Sequence, residues 1–171
     1  ASGEHIYVVG GVGDRTGFKR YSPLQNTWTV LPPLPDGRHH LAAFATADAV
    51  YAVGGYSDGG PSYQAGFRFD LASSTWSHVP ELYEVAASHA ATLHGRAYIG
   101  DLSGSLQEFD PVTRRVRRIA PSDAPVGRDH SQVVAFLDEI WMLGGRSPEH
   151  NWVSIYDPAS GAWRRGPSMA Q

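Results

Sequence analysis

The feature that most constrains this 171-residue chain is a motif present in four copies. An apolar segment runs into glycine as IYVVGG from Ile6, VYAVGG from Val50, AYIGD from Ala97 and IWMLGG from Ile140. The starts lie 44, 47 and 43 residues apart. Downstream, an aromatic residue is followed seven positions later by tryptophan: Tyr21 and Trp28, Phe69 and Trp76, Tyr156 and Trp163. The third copy keeps the aromatic, Phe109, and has Val116 in place of the tryptophan. Two copies are preceded by arginine and then histidine, in RHHLAAFATADAV from Arg38 and RDHSQVVAFLDEI from Arg128. Self-similarity at this period marks a repeated supersecondary unit that must stack on its neighbours to bury its apolar surface.

The repeat also explains the first glycines. Gly11, Gly13 and Gly17 in IYVVGGVGDRTG are spaced almost like a dinucleotide fingerprint, which requires an amphipathic helix to follow. Instead FKRYSPLQNTWTVL follows, with a turn-like SPLQN and no helical spacing of apolar residues. One repeat reads as four antiparallel strands: LAAFAT, then VYAVGG, FRFD and STWSHV. The second is apolar at nearly every position, as suits a strand covered on both faces. Gly54 and Gly55 sit where a side chain would block a neighbouring backbone. Phe69 and Trp76 are anchors for packing one sheet on the next, and radial stacking of such sheets gives a propeller.

This pattern resembles the Kelch repeat over nearly the whole chain. The resemblance rests on the glycine pairs Gly10-Gly11, Gly54-Gly55 and Gly144-Gly145, the aromatic–tryptophan pairs, and the leading Arg38 and Arg128. It implies an all-β fold, a Kelch-type β-propeller or partial propeller of four four-stranded blades in a single domain, with blades near 1–31, 38–80, 86–120 and 128–166. The third copy departs from the pattern. Asp101 follows Gly100, Val116 replaces the tryptophan, and Val85 to Ala87 replace the arginine–histidine lead, so its packing is the least constrained. Because Ile6 aligns with Val50, Ala1 aligns with Ala45, and the first blade is expected to lack its innermost strand. Kelch-like propellers usually close with six or seven blades. Three arrangements therefore stand open: a piece of a larger propeller, half of a ring completed by a second copy in a homodimer, and a four-bladed closure.

Composition narrows the chemistry. A net charge of −3 points to no nucleic-acid or membrane-surface partner. Thirteen of the fourteen basic side chains are arginine, which reads as compositional bias. The absence of cysteine removes thiol nucleophiles, Cys-ligated zinc and the cysteine–tyrosine cofactor of Kelch-like copper oxidases, and no other cofactor is indicated. No apolar run approaches the ~20 residues of a membrane span, and ASGEH has no signal-peptide pattern. The compartment is not indicated.

In the Kelch family one face gathers two sets of loops, and partners bind there. The connections from second to third strand vary in length: 10 residues from Gly11 to Tyr21, 14 from Gly55 to Phe69, 8 from Asp101 to Phe109 and 11 from Gly145 to Tyr156. Uniform strands with variable loops suit a binding face on a rigid scaffold. Arg15, Tyr56, Tyr63, Arg146, His150 and Asn151 fall in these loops, and Arg38, His39, Arg128 and Asp129 in the other set. Arginine offers forked hydrogen bonds and tyrosine stacking area, though exposed loops are polar in any case. His40 and His130 recur with the repeat and read as structural. Neighbouring residues on an extended chain point to opposite faces, so His39 and His40 are not expected to share an ion, and no metal site is expected. RRVRR, Arg114 to Arg118, reads as a charged guard on an outermost strand. No catalytic-triad order, carboxylate pair or nucleophile elbow appears.

The reading is a binding module that presents loops to a protein or a small polar ligand. The rival is a carbohydrate-active propeller enzyme such as a sugar-acid mutarotase. In it Arg38, Arg128 or Arg146 would hold a carboxylate while His39, His150 or Glu149 moved the proton. A non-catalytic piece of a larger propeller is the third reading.

Overall fold

Local turn chemistry cuts the chain into short strands. Asp70, Asp110 and Asp157 each stand at the end of a third strand, and their carboxylates accept from main-chain N–H groups of the turn. Ala72 and Ser73 donate to Asp70, Val112 and Thr113 to Asp110, and Ala159 to Asp157. These bonds, with side-chain bonds such as Ser160 to Asp157, hold all three carboxyls below the ordinary aspartate range.

The computed structural model describes residues 1–57, 60–61, 66–82, 89–120, 128–146 and 149–170, and Tyr63 and residues 85–87 lie outside them. All regular elements among the described residues are strands, and no helix there is long and apolar enough to cross a membrane. The chain divides into two compact units, Ala1–Ala86 and Ala87–Gln171.

In the first unit, β1 (Ile6–Val9), β2 (Phe18–Ser22) and β3 (Thr27–Val30) form a three-stranded sheet in that order. It has one strand fewer among the described residues than each of the other three main sheets. The second sheet joins β4 (Ala42–Ala45), β5 (Ala49–Val53), β8 (Gly66–Asp70) and β9 (Thr75–Val79). The short pair β6 (Tyr56–Ser57) and β7 (Gly60–Pro61) extends from the β5–β8 connection. All neighbours are antiparallel, with Tyr21 opposite Trp28 and Phe69 opposite Trp76. The sheets pack through Phe18, Val50 and Phe69, with Tyr7, Val9 and Trp76 against them. Phe18 meets Phe69 edge-on at 4.8 Å and Trp76 at 5.0 Å.

The second unit repeats the arrangement with two four-stranded sheets. One is β10 (Ala90–Leu93), β11 (Arg96–Gly100), β12 (Leu106–Asp110) and β13 (Arg115–Ile119). The other is β14 (Gln132–Phe136), β15 (Glu139–Leu143), β16 (Val153–Asp157) and β17 (Ala162–Arg165). Tyr98, Leu106, Ile119, Val133, Ile140, Met142 and Tyr156 form the core between them, with Trp163 packed on it. The divergent third copy is therefore a complete sheet. Val116 pairs with Phe109 where the other copies place tryptophan. Asp101 substitutes for the second glycine by closing a tight turn, accepting from the main-chain N–H of Ser103 and of Ser105.

That third sheet also carries a buried charge. The Glu108 side chain is 4% exposed and is clamped by Arg96 and Arg117. Burial, and then the Glu108 charge, push the neighbouring Tyr98 hydroxyl up to about 12. Arg117 donates onward to the Tyr156 hydroxyl at 3.1 Å. The basic run is thus more than an edge guard, because one of its arginines neutralises a buried carboxylate.

Candidate functional site

The glycine pairs make room for the segment that leads into the next inner strand. A Cβ on Gly10 would lie 2.5 Å from the Arg38 carbonyl oxygen, and one on Gly55, at φ 89°, would lie 2.7 Å from that of His39. Gly11 N–H donates to the Arg38 carbonyl at 2.9 Å, and Arg38 N–H donates to the Arg15 carbonyl at 2.9 Å. In the second unit Arg128 N–H donates to the Leu102 carbonyl at 2.8 Å. Each lead arginine is therefore tied to the second-to-third connection of the preceding sheet. The two loop sets meet within each unit.

The same bracket holds the surface in both units. His39 and Tyr56 form an isolated antiparallel bridge with bonds of 3.0 and 2.8 Å. Asp129 and Arg146 form the equivalent bridge. What the bracket displays differs. In the first unit it carries rings: His39 stacks on Tyr56 at 5.6 Å, and His40 meets Tyr56 edge-on at 5.8 Å. In the second it carries charge. Arg146 Nε donates to Asp129 at 3.0 Å, the other Asp129 oxygen lies 2.6 Å from His130 Nδ1, and Arg146 Nη2 lies 3.2 Å from His130 Nε2. Partial burial opposes the Asp129 charge. Hydrogen bonds from Arg146 and His130 outweigh it and hold the carboxyl below the ordinary range. The Arg146 side chain is 54% exposed.

The expectation that His39 and His40 point apart is corrected. His40 has a φ of 56°, outside the extended region, and its ring turns back onto that of His39, with centroids 4.6 Å apart and the two Nδ1 atoms in contact. His130 shares this left-handed backbone, with a φ of 59°. No group of three His, Asp or Glu among the described residues could hold a metal ion.

Arg38 and Arg128, placed by the sequence among the exposed loop contacts, point inward. Arg38 is 0% exposed. Its guanidinium donates to Asp36 and to the Gly54 carbonyl and lies 4.9 Å from the Phe67 ring centroid. Arg128 is 2% exposed and donates to the carbonyls of Gly144 and Trp152 and to the Ser154 hydroxyl. No carboxylate among the described residues pairs with it. Burial, and then repulsion from Arg165, lower its pKa. Both arginines stitch the glycine pair to the lead-in from inside, so they cannot grip a ligand carboxylate at the surface.

Three further candidates have structural work. Asn151 fastens the C-terminal segment, exchanging bonds of 2.8 Å with Met169 through its side-chain NH2 and main-chain carbonyl. His150 stacks on Trp152 at 5.1 Å, and its N–H donates to the Gly145 carbonyl. Arg15 is half-buried beneath the lead-in. The candidates that the structure groups at the surface are therefore half-buried His39 with Tyr56, and half-buried Asp129 with exposed Arg146. His40 and His130 join them, although the sequence assigned these only a structural role. A separate cleft of about 550 Å3 lies by the turns of the second unit, lined by His94, Arg96, Glu108, Arg117 and Asp138. Glu108 pairs there with both arginines, and His94 Nε2 lies 2.8 Å from Asp138.

The sequence model of the Kelch motif matches residues 37–83 and 127–170, together more than half of the chain. The chain is 28% identical over 172 residues to Kelch-like protein 35 of Mus musculus, covering 96% of this chain and 29% of that protein. It is 27% identical over 195 residues to Alpha-scruin of Limulus polyphemus, covering 96% of this chain and 21% of the relative. The chain thus spans less than a third of these curated relatives. Among solved structures, that of YjhT superposes with a TM-score of 0.80 at 16% identity, over 98% of this chain and 63% of that one. This likeness supports the Kelch-propeller fold for these blades.

Proposed function

Because this chain belongs to the Kelch-repeat family, we propose that it is a binding module whose loops read a protein partner. The observation that carries the reading is the pair of surface clusters on one backbone bracket. The bridge, the glycine pair and the buried arginine are shared, while the displayed side chains are His39, His40 and Tyr56 in one unit and Asp129, His130 and Arg146 in the other. A scaffold held constant under a changing display is how repeat proteins build recognition surfaces. The first cluster offers stacking area, and the second offers a half-exposed guanidinium to a carboxylate or carbonyl. Selection from a displayed random peptide library tests this. Peptides should emerge whose binding is lost in Tyr56→Ala or Arg146→Ala and kept in Leu24→Ala, a change at an exposed turn. Selection of nothing that depends on either cluster would overturn it.

The second reading, a carbohydrate-active enzyme, is favoured by one observation, the carboxylate-oriented imidazole of His130 beside Arg146. Arg146 would hold a sugar carboxylate and His130 would move the proton. With Arg38 and Arg128 buried, it loses two of its three candidate anchors. A mutarotation assay on sugar acids decides it: turnover abolished in His130→Ala supports the enzyme, and absence of turnover removes it.

A further inference from the structure

The cleft of about 550 Å3 lies within the second unit, at the strand ends away from the Asp129–Arg146 bracket. Its floor is the Glu108 carboxylate, 4% exposed, with buried Tyr98 beside it. The repeat does not call for a carboxylate here. Register places Glu108 between Tyr98 and Arg117, and the other sheets have Arg20, Arg68 and Ile155 at the equivalent position. Ile155 is fully buried, so an apolar side chain serves the sheet there. A buried carboxylate costs desolvation, and an apolar residue of similar volume often stabilises as well or better. What Glu108 adds is a fixed position for two arginines.

Arg96 and Arg117 are about half exposed, and Glu108 occupies only part of each. Arg96 reaches it through Nη1, and Arg117 through Nε and Nη2, the latter also donating to the Tyr156 hydroxyl. Arg96 Nη2 stays 3.8 Å from Asp110, beyond hydrogen-bond reach, and Arg117 Nη1 has no acceptor among the described residues. Donors held in place by a buried charge suit a ligand carboxylate. The rim has the opposite sign. Asp138 is 82% exposed and has one oxygen near His94 Nε2, and Asp157 stands on the facing turn. These carboxylates suit a cationic group. Leu93, Pro158 and Ala159 add an apolar wall.

We infer that this cleft binds an aliphatic α-amino acid. The ligand carboxylate takes the open edges of Arg96 and Arg117, its ammonium group takes Asp138 and Asp157, and its side chain lies on the apolar wall. A zwitterion fits better than a simple anion, which the rim carboxylates repel, or a simple cation, which the arginines repel. Small-molecule sites combine such a cavity with a few convergent polar groups. The cleft and the bracket lie at opposite strand ends, so amino-acid binding here and peptide recognition there stand or fall separately.

The experiment is calorimetric titration of the chain with L-leucine, glycine, isocaproate and isopentylamine. The last three lack, in turn, the apolar side chain, the ammonium group and the carboxylate. L-leucine is expected to bind saturably at millimolar concentration, and each of the others about tenfold more weakly or worse. Two variants assign the contacts. Asparagine tolerates the left-handed φ of 62° at Asp138, and Arg96→Gln leaves Glu108 its pair with Arg117. Circular dichroism checks folding, and Arg96→Lys replaces Arg96→Gln if that variant does not fold. Asp138→Asn should weaken L-leucine about tenfold and leave isocaproate unchanged, whereas the Arg96 variant should weaken L-leucine similarly and leave isopentylamine unchanged. The inference is overturned by absence of saturable L-leucine binding, by an analogue that binds equally well, by L-leucine affinity that survives either variant, or by a variant that weakens every compound alike.

Discussion

Arg38 and Arg128 occupy the same position in two copies of one repeat, and their neighbourhoods differ. Both are buried and both donate to the first glycine of the pair, Gly54 and Gly144. Arg38 adds a carboxylate, Asp36, and the face of Phe67. Arg128 has only neutral oxygens among the described residues and lies close enough to Arg165 to be repelled by it. Above them the same division continues, rings over one and an ion pair over the other. The repeat therefore fixes the backbone and the inward arginine, and leaves both the compensation of that charge and the outward display to each copy.

Removing the arginines tests this most severely. Arg128→Ala strands the Gly144 and Trp152 carbonyls and the Ser154 hydroxyl, and should cost on the order of 3–5 kcal/mol. Arg128→Met should recover a large part of that loss, because a buried cation without a counter-ion is itself expensive. Arg38→Met should recover less, since it leaves Asp36 without its partner. Urea midpoints of the Ala and Met variants at both positions, Arg38→Ala included, measure the contrast, and equal recovery at both sites would show that the counter-ion is irrelevant. Next in size are the glycines. At Gly55 a Cβ would lie 2.7 Å from a carbonyl oxygen, whereas at Gly145 the nearest atom is the Arg128 Cα at 3.2 Å. Gly55→Ala should cost roughly 2–4 kcal/mol and Gly145→Ala roughly half as much. The same titrations read the order, and a reversed order would mean that the bracket is tighter in the second unit.

Much of this was legible before the structure because repetition carries its own control. Four apolar–glycine segments and the aromatic–tryptophan spacing set the sheets, their register and the three-stranded first sheet. The inward course of Arg38 and Arg128 was half legible: recurrence at one repeat position pointed to service in the repeat, but His40 and His130 recur too and stand among the displayed side chains. The turn aspartates Asp70, Asp110 and Asp157 also recur at one position, and a Ser or Thr three residues after each is the sequence signal of their turns. Other features depend on geometry that no spacing encodes. The contact of His39 with His40 follows from a left-handed backbone at His40, and nothing in RHH marks that conformation. The clamp on Glu108 comes from Arg96 on one neighbouring strand and Arg117 on the other, twelve and nine residues away.

The smallest effects distinguish the displayed clusters themselves. Asp129 has a folded pKa below its unfolded value of about 3.9. The stability it contributes is therefore present above about pH 4 and is lost as pH falls through the lowered folded value. Asp129→Asn should remove that part of the acid limb in a urea titration followed against pH, while leaving the midpoint near neutrality within about 1 kcal/mol, since the Arg146 partner is more than half exposed. Arg146→Ala should be smaller still near pH 7, about 0.5 kcal/mol or less, because its guanidinium is more than half exposed. A stability loss well beyond that would recast Arg146 as part of the bracket, and the second cluster would then cease to be a display that can vary freely on a common frame.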